Sequence, residues 1–340
     1  MTFRGGAGVY YDWFGTNNLA TILSQSVSQP SETVIINPNF PNPFQSGTSQ
    51  FLPPSYRQKD DGLKNPYIFL ASIGVERQLD KNTSLRVLYK YQKGVHQFRS
   101  RDINAPFDFI RPNPDFGRIQ QIESSGFFAQ NSLNVELNGR LTKTLSFAAD
   151  YTLAKIVSDN NGIFGLPSDN YNLRLDRSVS NLDRRHRLYA SLYWKIRKDL
   201  RLSTIFSAAS ALPYTITTGR DDNGDTIFND RPFGIARNGE RGAWQKQTDM
   251  TLGWTIGLFK KKNGQGKPGM IVITSDEASS GDFGVDTKHK YSLKFSVTAR
   301  NVFNQPNFTN YVGVQTSPFF RQPIAADNPR RIELGMRFSF

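Results

Sequence analysis

Two short stretches of this 340-residue chain carry residue types and spacings that could do chemistry. In the run GRDDNGDTIFNDRP, residues 219–232, Asp221, Asn223 and Asp225 alternate with non-ligands, and Gly224, Asn229 and Asp230 lie beside them. Alternating oxygen donors open a calcium loop, because a hard cation needs several oxygens gathered on a tightly turned backbone. A complete EF-hand loop carries Gly at the position of Thr226 and Glu at that of Pro232, and neither is present. Asp, Asn and Gly are also the usual material of tight turns, so a calcium loop and a plain turn both stand as readings, and calcium is the one cofactor suggested. The second stretch is Asp183, Arg184, Arg185, His186 and Arg187. Arg184, Arg185 and Arg187 could form a rim that attracts an anionic ligand, or a solvated ion-pair network with Asp183.

Catalysis finds little to work with. His96, His186 and His289 are far apart in sequence, and a catalytic or metal role would need them to meet in space near partners. There is no nucleophile elbow, HExxH helix or phosphate-binding glycine loop. With no cysteine there is no disulfide framework, thiol nucleophile or thiolate metal site. The expectation is a protein that is not an enzyme.

The elements that would position these residues are β-strands. Mean hydropathy is −0.50, and no apolar run approaches the ~20 residues of a transmembrane helix. A barrel escapes that test, because lipid-facing residues alternate with lumen-facing ones. The 26 Phe, 13 Tyr and 4 Trp suit such a protein, since amphipathic rings settle at membrane interfaces. The net charge of +13 is spread over strands, turns and loops with no basic stripe, which argues against nucleic acid as partner. The first residues show no charged segment followed by an apolar stretch and cleavage site.

The last segment, RIELGMRFSF, sets Ile332, Leu334, Met336, Phe338 and Phe340 on one side of a period-2 strand and Arg331, Glu333, Gly335, Arg337 and Ser339 on the other. The same alternation recurs at residues 2–13, 67–79, 84–95, about 130–141, 145–153, 188–196, 200–218, 250–258 and 291–299, giving about ten strands. The connections at 80–82, 142–144 and 198–199 are short, while 14–65, 96–130, 158–185, 219–247 and 304–329 are long and read as loops without a ladder. Long and short connections therefore alternate, as in a barrel whose loops face outside and whose turns face the periplasm. Residues 260–289 break the rule with the apolar run MIVIT and read as an elongated periplasmic hairpin. The expected fold is all-β, an antiparallel transmembrane β-barrel segment in the outer membrane, with Val135, Leu192 and Trp254 towards lipid and Ser191 towards the lumen.

At this point the motifs FRGGAGVYYDWF (3–14), LDRRHRL (182–188), GRDDNGDTIFNDRP (219–232), ARNVFNQPNF (299–308) and PRRIELGMRFSF (329–340) occur in an order that resembles TonB-dependent outer-membrane receptors, and among them the Oar-like branch. The resemblance covers nearly the whole chain and implies a portion of a barrel of about 22 strands, so residues 1–340 look like the C-terminal part of the barrel, without signal peptide, plug, TonB box and about a dozen strands. It implies uptake of an extracellular ligand, with TonB acting through the plug. The partners it implies are outer-membrane lipid, the plug and N-terminal barrel half, and the barrel-assembly machinery, which would read Phe338 and Phe340 as an assembly signal. A passive porin-like channel and a surface adhesion or assembly barrel are the alternative functions.

Overall fold

The computed structural model describes residues 1–26, 33–44, 48–107, 109–260 and 289–340. Ten strands follow one another across a single antiparallel sheet: β1 (Thr2–Tyr11), β2 (Tyr67–Gln78), β3 (Thr83–Asp102), β4 (Ile119–Arg140), β5 (Leu145–Ser158), β6 (His186–Lys195), β7 (Leu200–Ala209), β8 (Gln245–Lys260), β9 (His289–Arg300) and β10 (Arg331–Ser339). Every strand lies beside its neighbours in the chain. The connections β2–β3, β4–β5 and β6–β7 each hold four residues. Asp80 shows why so few suffice: its carboxylate accepts the Asn82 N–H at 2.6 Å while the Leu79 N–H reaches the Thr83 carbonyl at 2.8 Å.

Directly opposed residues in a sheet point to the same face, so the register fixes what each face shows. Val87, Val135, Tyr151, Leu188 and Ala208 are partners in one row from β3 to β7. Trp254, Phe295 and Met336 form another from β8 to β10. One residue out of phase the rows turn polar: Glu76, Arg86, Glu136, Asp150, Tyr189, Ser207 and Gln247 oppose one another from β2 to β8. The Arg86 and Glu136 side chains close to 2.5 Å on that face, and Asn134 donates to Asp150 at 2.8 Å. A sheet with one unbroken apolar face and one charged face, crossed in about ten residues per strand, is the wall of a membrane barrel.

The wall is open. Among the described residues β1 pairs only with β2, and β10 only with β9, so each edge carries a row of backbone groups with no described partner strand. In hydrocarbon each such group costs several kcal/mol, which fits a sheet that is one part of a larger closed barrel.

The structure departs from the sequence expectations mainly above the membrane. Residues 96–130 are not all loop: β3 runs on to Asp102 and β4 begins at Ile119, paired through two register shifts between Gly94 and Arg99. Outside the bilayer both faces of this ladder meet protein or water, so apolar alternation no longer marks it. The stretch read as loop at 14–65 holds a helix (Thr16–Leu23), a small hairpin (Thr33–Ile36 with Thr48–Phe51) and a short strand, Tyr56–Lys59, laid parallel on the start of β4. Further hairpins join Pro213–Tyr214 to Glu240–Arg241 and Phe308–Tyr311 to Pro323–Ala326. β1 ends at Tyr11 and not at residue 13, and β7 ends at Ala209 and not at residue 218, short of Pro213, which cannot donate to a ladder. The segment with MIVIT lies outside the described residues.

Candidate functional site

The long connections form one assembly at the end of the sheet where β3 and β4 protrude, and charged side chains hold it together. Arg237, from the β7–β8 connection, is buried and uses all five guanidinium N–H groups. Nε donates to the Asp176 carbonyl at 2.8 Å, Nη1 to the Asn160 carbonyl at 2.9 Å and to Asn161 Oδ1, and Nη2 to the Ser158 carbonyl at 2.5 Å and its Oγ at 3.0 Å. Burial draws this guanidinium's pKa down, and the negative charges of Asp176 and Asp159 pull against the shift. One side chain thus pins the β5–β6 connection to the β7–β8 connection.

Asp183 does the same work at the top of β5. Fully buried, it accepts the Ile156 N–H at 2.5 Å through Oδ1, and its Oδ2 meets Arg241 closely and Arg185 at 3.5 Å. Asp102 and Asn104 organise the β3–β4 connection, where Asn104 Nδ2 contacts three carbonyls, of Asn113, Phe116 and Gly117, at 2.8–3.0 Å. Most of the assembly's enclosed polar groups are satisfied, with Arg99 Nε, Arg118 Nε, Arg185 Nε and Asn229 Oδ1 as exceptions among the described residues, which gives it a fixed shape.

The three arginines singled out in sequence separate here. Arg185 turns to Asp183. Arg184 and Arg187 line a shared cavity of about 420 Å³ with Lys246, Gln245, Gln247 and Asn307, with Asp327 opposite. Arg184 donates to Gln245 Oε1 at 2.6 Å and to the Ser210 carbonyl at 3.3 Å, but neither Arg184 nor Arg187 has an ion-pair partner among the described residues. Burial lowers the Arg184 pKa, the charge of Arg187 lowers it further, and Asp327 offsets part of this. Arg184 and Gln245 also line a second cavity of about 440 Å³ beside the stacked rings of Tyr214 and Tyr311, 5.6 Å apart. Sequence reading missed Lys246, Tyr214 and Tyr311, because nothing local announces that residues about 30 to 130 positions from Arg184 converge on it.

The Asp221, Asn223 and Asp225 loop is a compact turn. Asp221 accepts the N–H groups of Asp225 at 3.0 Å and Thr226 at 2.8 Å, Asn223 Oδ1 accepts the Asp225 N–H at 2.9 Å, and Asp225 accepts the Ile227 N–H at 2.8 Å. The oxygens that the calcium reading assigns to a cation are here engaged with backbone, and no metal-holding cluster of three His, Cys, Asp or Glu occurs among the described residues. Asp225 and Asp230 are both pushed above the usual carboxylate range, first by burial and then by neighbouring carboxylates, although N–H donors partly offset the shift.

His186 is not part of a polar site. It stacks between Tyr151 and Trp244, with centroids 6.2 and 5.5 Å away, and its Nδ1 lies 2.8 Å from the Tyr151 hydroxyl. Tyr151 belongs to the apolar rows, so the stack sits at the outer margin of the lipid face, where such rings belong. At the other margin Phe338 stacks on Tyr291 at 6.0 Å and Phe340 on Phe338 at 6.2 Å.

Comparison with known proteins agrees with this architecture. A family model described as "Outer membrane beta barrel domain" matches residues 1–333. Among solved structures the outer membrane transporter YddB from Escherichia coli is similar with a TM-score of 0.54 and 13% identity, over 85% of this chain and 34% of that one. A point mutant of the ferric enterobactin receptor PfeA from Pseudomonas aeruginosa, in complex with enterobactin, gives a TM-score of 0.56 and 13% identity over 99% of this chain and 38% of that one. The chain thus spans 34–38% of the length of these two structures, and at such identity the likeness is one of fold. No curated protein matches the sequence.

Proposed function

We propose, from the premise that this chain belongs to the outer membrane beta barrel domain family, that it forms part of the wall and the ligand-gathering loops of a receptor that imports an extracellular ligand on energy coupled through TonB. The chain lies in the outer membrane. Its loop assembly is rigid and carries the cavities, its inner face is charged, and its sheet is open at both edges, as a portion of a larger barrel around a plug needs to be. The observation that carries the proposal is the cavity of Arg184, Arg187 and Lys246, cations that have no ion-pair partner among the described residues and stand at the outer mouth of the wall. Such a site favours an anionic ligand, and its field raises the rate of encounter at low salt. The Oar-like resemblance belongs to this reading, as does the role of Phe338 and Phe340 as an assembly signal. Deleting Phe340 should lower the amount of protein in the outer membrane.

The test is uptake. Cells carrying the membrane-inserted protein should accumulate an anionic substrate only when TonB is present, and Arg184→Ala with Arg187→Ala should raise the concentration needed for half-maximal uptake about tenfold. Uptake that persists without TonB, together with steady conductance in a planar bilayer, would assign the protein to passive channels.

A further inference from the structure

A third cavity in the loop assembly has the opposite chemistry to that at Arg184. It holds about 600 Å³ and is walled by Phe107, Phe109 and Tyr171, with Asp169, Asp222 and Asp225 among its polar groups and no Lys or Arg in its lining. The rings are displayed at a cost: Phe107 is 70% and Phe109 80% exposed, in a loop that could have been polar throughout. Phe109 also sits at φ 65°, a left-handed backbone that a bulky side chain rarely adopts. Residues held in such conformations cluster at binding sites. Its ring packs over Gly224, where an added Cβ would lie 2.7 Å from Phe109 Cε1, and Gly224 itself is at φ 72°. Phe107 meets Tyr171 edge to face at 5.7 Å, which fixes a second wall.

The hydrogen-bonding capacity of the lining decides the class of guest. Each side-chain amide and hydroxyl of the lining spends a donor inside the protein, one N–H apiece for Asn170 and Asn223. Tyr171 Oη donates to the Ala105 carbonyl at 2.7 Å, Asn170 Nδ2 to Asp225 Oδ2 at 3.1 Å, and Asn223 Nδ2 to the Ser168 carbonyl at 2.9 Å. Acceptors remain: the Asp222 carboxylate has no hydrogen-bond or ion-pair partner among the described residues, and Asp169 uses only Oδ1, on the N–H groups of Tyr171 and Asn172. The lining carries three carboxyl groups, of Asp169, Asp222 and Asp225, and no cationic side chain beside them. Acceptors beside π-faces suit a guest that only donates and carries positive charge. The raised pKa of Asp225, caused by burial and then by Asp230 and Asp221, is consistent with negative charge that the protein leaves uncompensated.

We propose that this cavity is a binding site for an organic cation with an apolar body, an ammonium or guanidinium whose head is held by Asp222 and Asp169 and whose body lies against Phe107, Phe109 and Tyr171. The site is separate from the cationic cavity at Arg184 and does not depend on how transport is energised.

The experiment uses membrane-inserted protein and phenethylammonium, followed by saturation-transfer NMR and competition, with 2-phenylethanol as the neutral counterpart. The ammonium should bind at least tenfold more tightly than the alcohol, and Asp222→Asn should remove most of that preference. Phe109→Ala should weaken both ligands about tenfold, with Phe107→Ala acting in the same direction; these side chains are exposed, so the variants keep the fold. An arginine-containing tripeptide that outcompetes agmatine would assign the site to a peptide side chain, and the reverse order to a free amine; both support the proposal. Equal affinity for ammonium and alcohol, or binding unchanged in Asp222→Asn and Phe109→Ala, overturns it. So does binding of calcium ion at the loop with no binding of the ammonium. None of these readouts involves TonB, so failure here leaves the transport proposal standing.

Discussion

In the membrane-crossing wall, Leu192 and Trp254 stand on a face with no protein against it, while in the loop assembly Asp102, Asn104 and Asp183 are wholly enclosed. The chain has inverted the usual arrangement twice. Lipid supplies the apolar surroundings for the wall, so the wall needs no core of its own, only a closed ladder and one greasy face. Water surrounds the loops, and there a fixed shape comes from buried ions whose hydrogen bonds are met inside the protein. Apolar burial is sparse in the loops as well: Ile122 is the one apolar member among the five largest fully buried side chains. The comparison teaches that the two regions should fail separately.

The largest expected effect tests that separation. Arg237→Ala removes five donors from enclosed acceptors, while Asp176 and Asp159 keep their ion pairs with Arg231 and Arg99, and should cost the loop assembly several kcal/mol, at about 1–3 kcal/mol for each enclosed acceptor left unpaired. Hydrogen exchange should show amides of the β5–β6 and β7–β8 connections losing protection while those of β4 to β7 keep theirs. Joint loss of protection would show that wall and loops are one cooperative unit. Next in size, Leu192→Arg should cost about 2–4 kcal/mol near the bilayer midplane, measured by denaturant titration of protein refolded into vesicles. Ser191→Arg should cost much less, and equal costs would erase the distinction between the two faces. Gly224→Ala should cost about 1–2 kcal/mol for its left-handed backbone, with added displacement of the Phe109 ring, seen as faster exchange confined to residues 219–232.

The smallest effect is in pH. Asp225 and Asp230 have folded-state pKa values raised above those of the unfolded chain. Their contribution to stability is therefore complete below the ordinary carboxylate range and is lost as pH rises through the raised values. Loop protection should decline over that window, and Asp230→Asn should flatten the decline. A loop that instead gains stability as pH rises through this range would contradict the assigned direction.

The wall was legible in sequence because lipid imposes a period of two on every strand: residues 84–92 and 133–141 read correctly from alternation alone, and the paired register of Val87 with Val135 bears them out. The same signal stops where the bilayer stops, which is why the outer halves of β3 and β4 went unread. The arginine stretch was visible as charge, but charge does not say which partner each side chain will find. Arg185 joins Asp183, two residues away, whereas Arg184 meets Gln245 and a cavity assembled from three strands and two connections. Arg237 carried no local sign at all, since its acceptors are carbonyls and side chains around residues 158–161 and 176 brought to it by the fold.

The central claim is the two-faced wall, and the absence of cysteine makes each introduced thiol the only one in the chain. Single substitutions to cysteine along β6, at Leu188, Tyr189, Ala190, Ser191, Leu192 and Tyr193, can be spin-labelled in the membrane-inserted protein and their collisions with dissolved oxygen measured by electron paramagnetic resonance. Oxygen concentrates in lipid, so positions 188, 190 and 192 should give high accessibility and 189, 191 and 193 low accessibility, a period of two in fixed phase. The opposite phase, or a profile without alternation, would contradict the account.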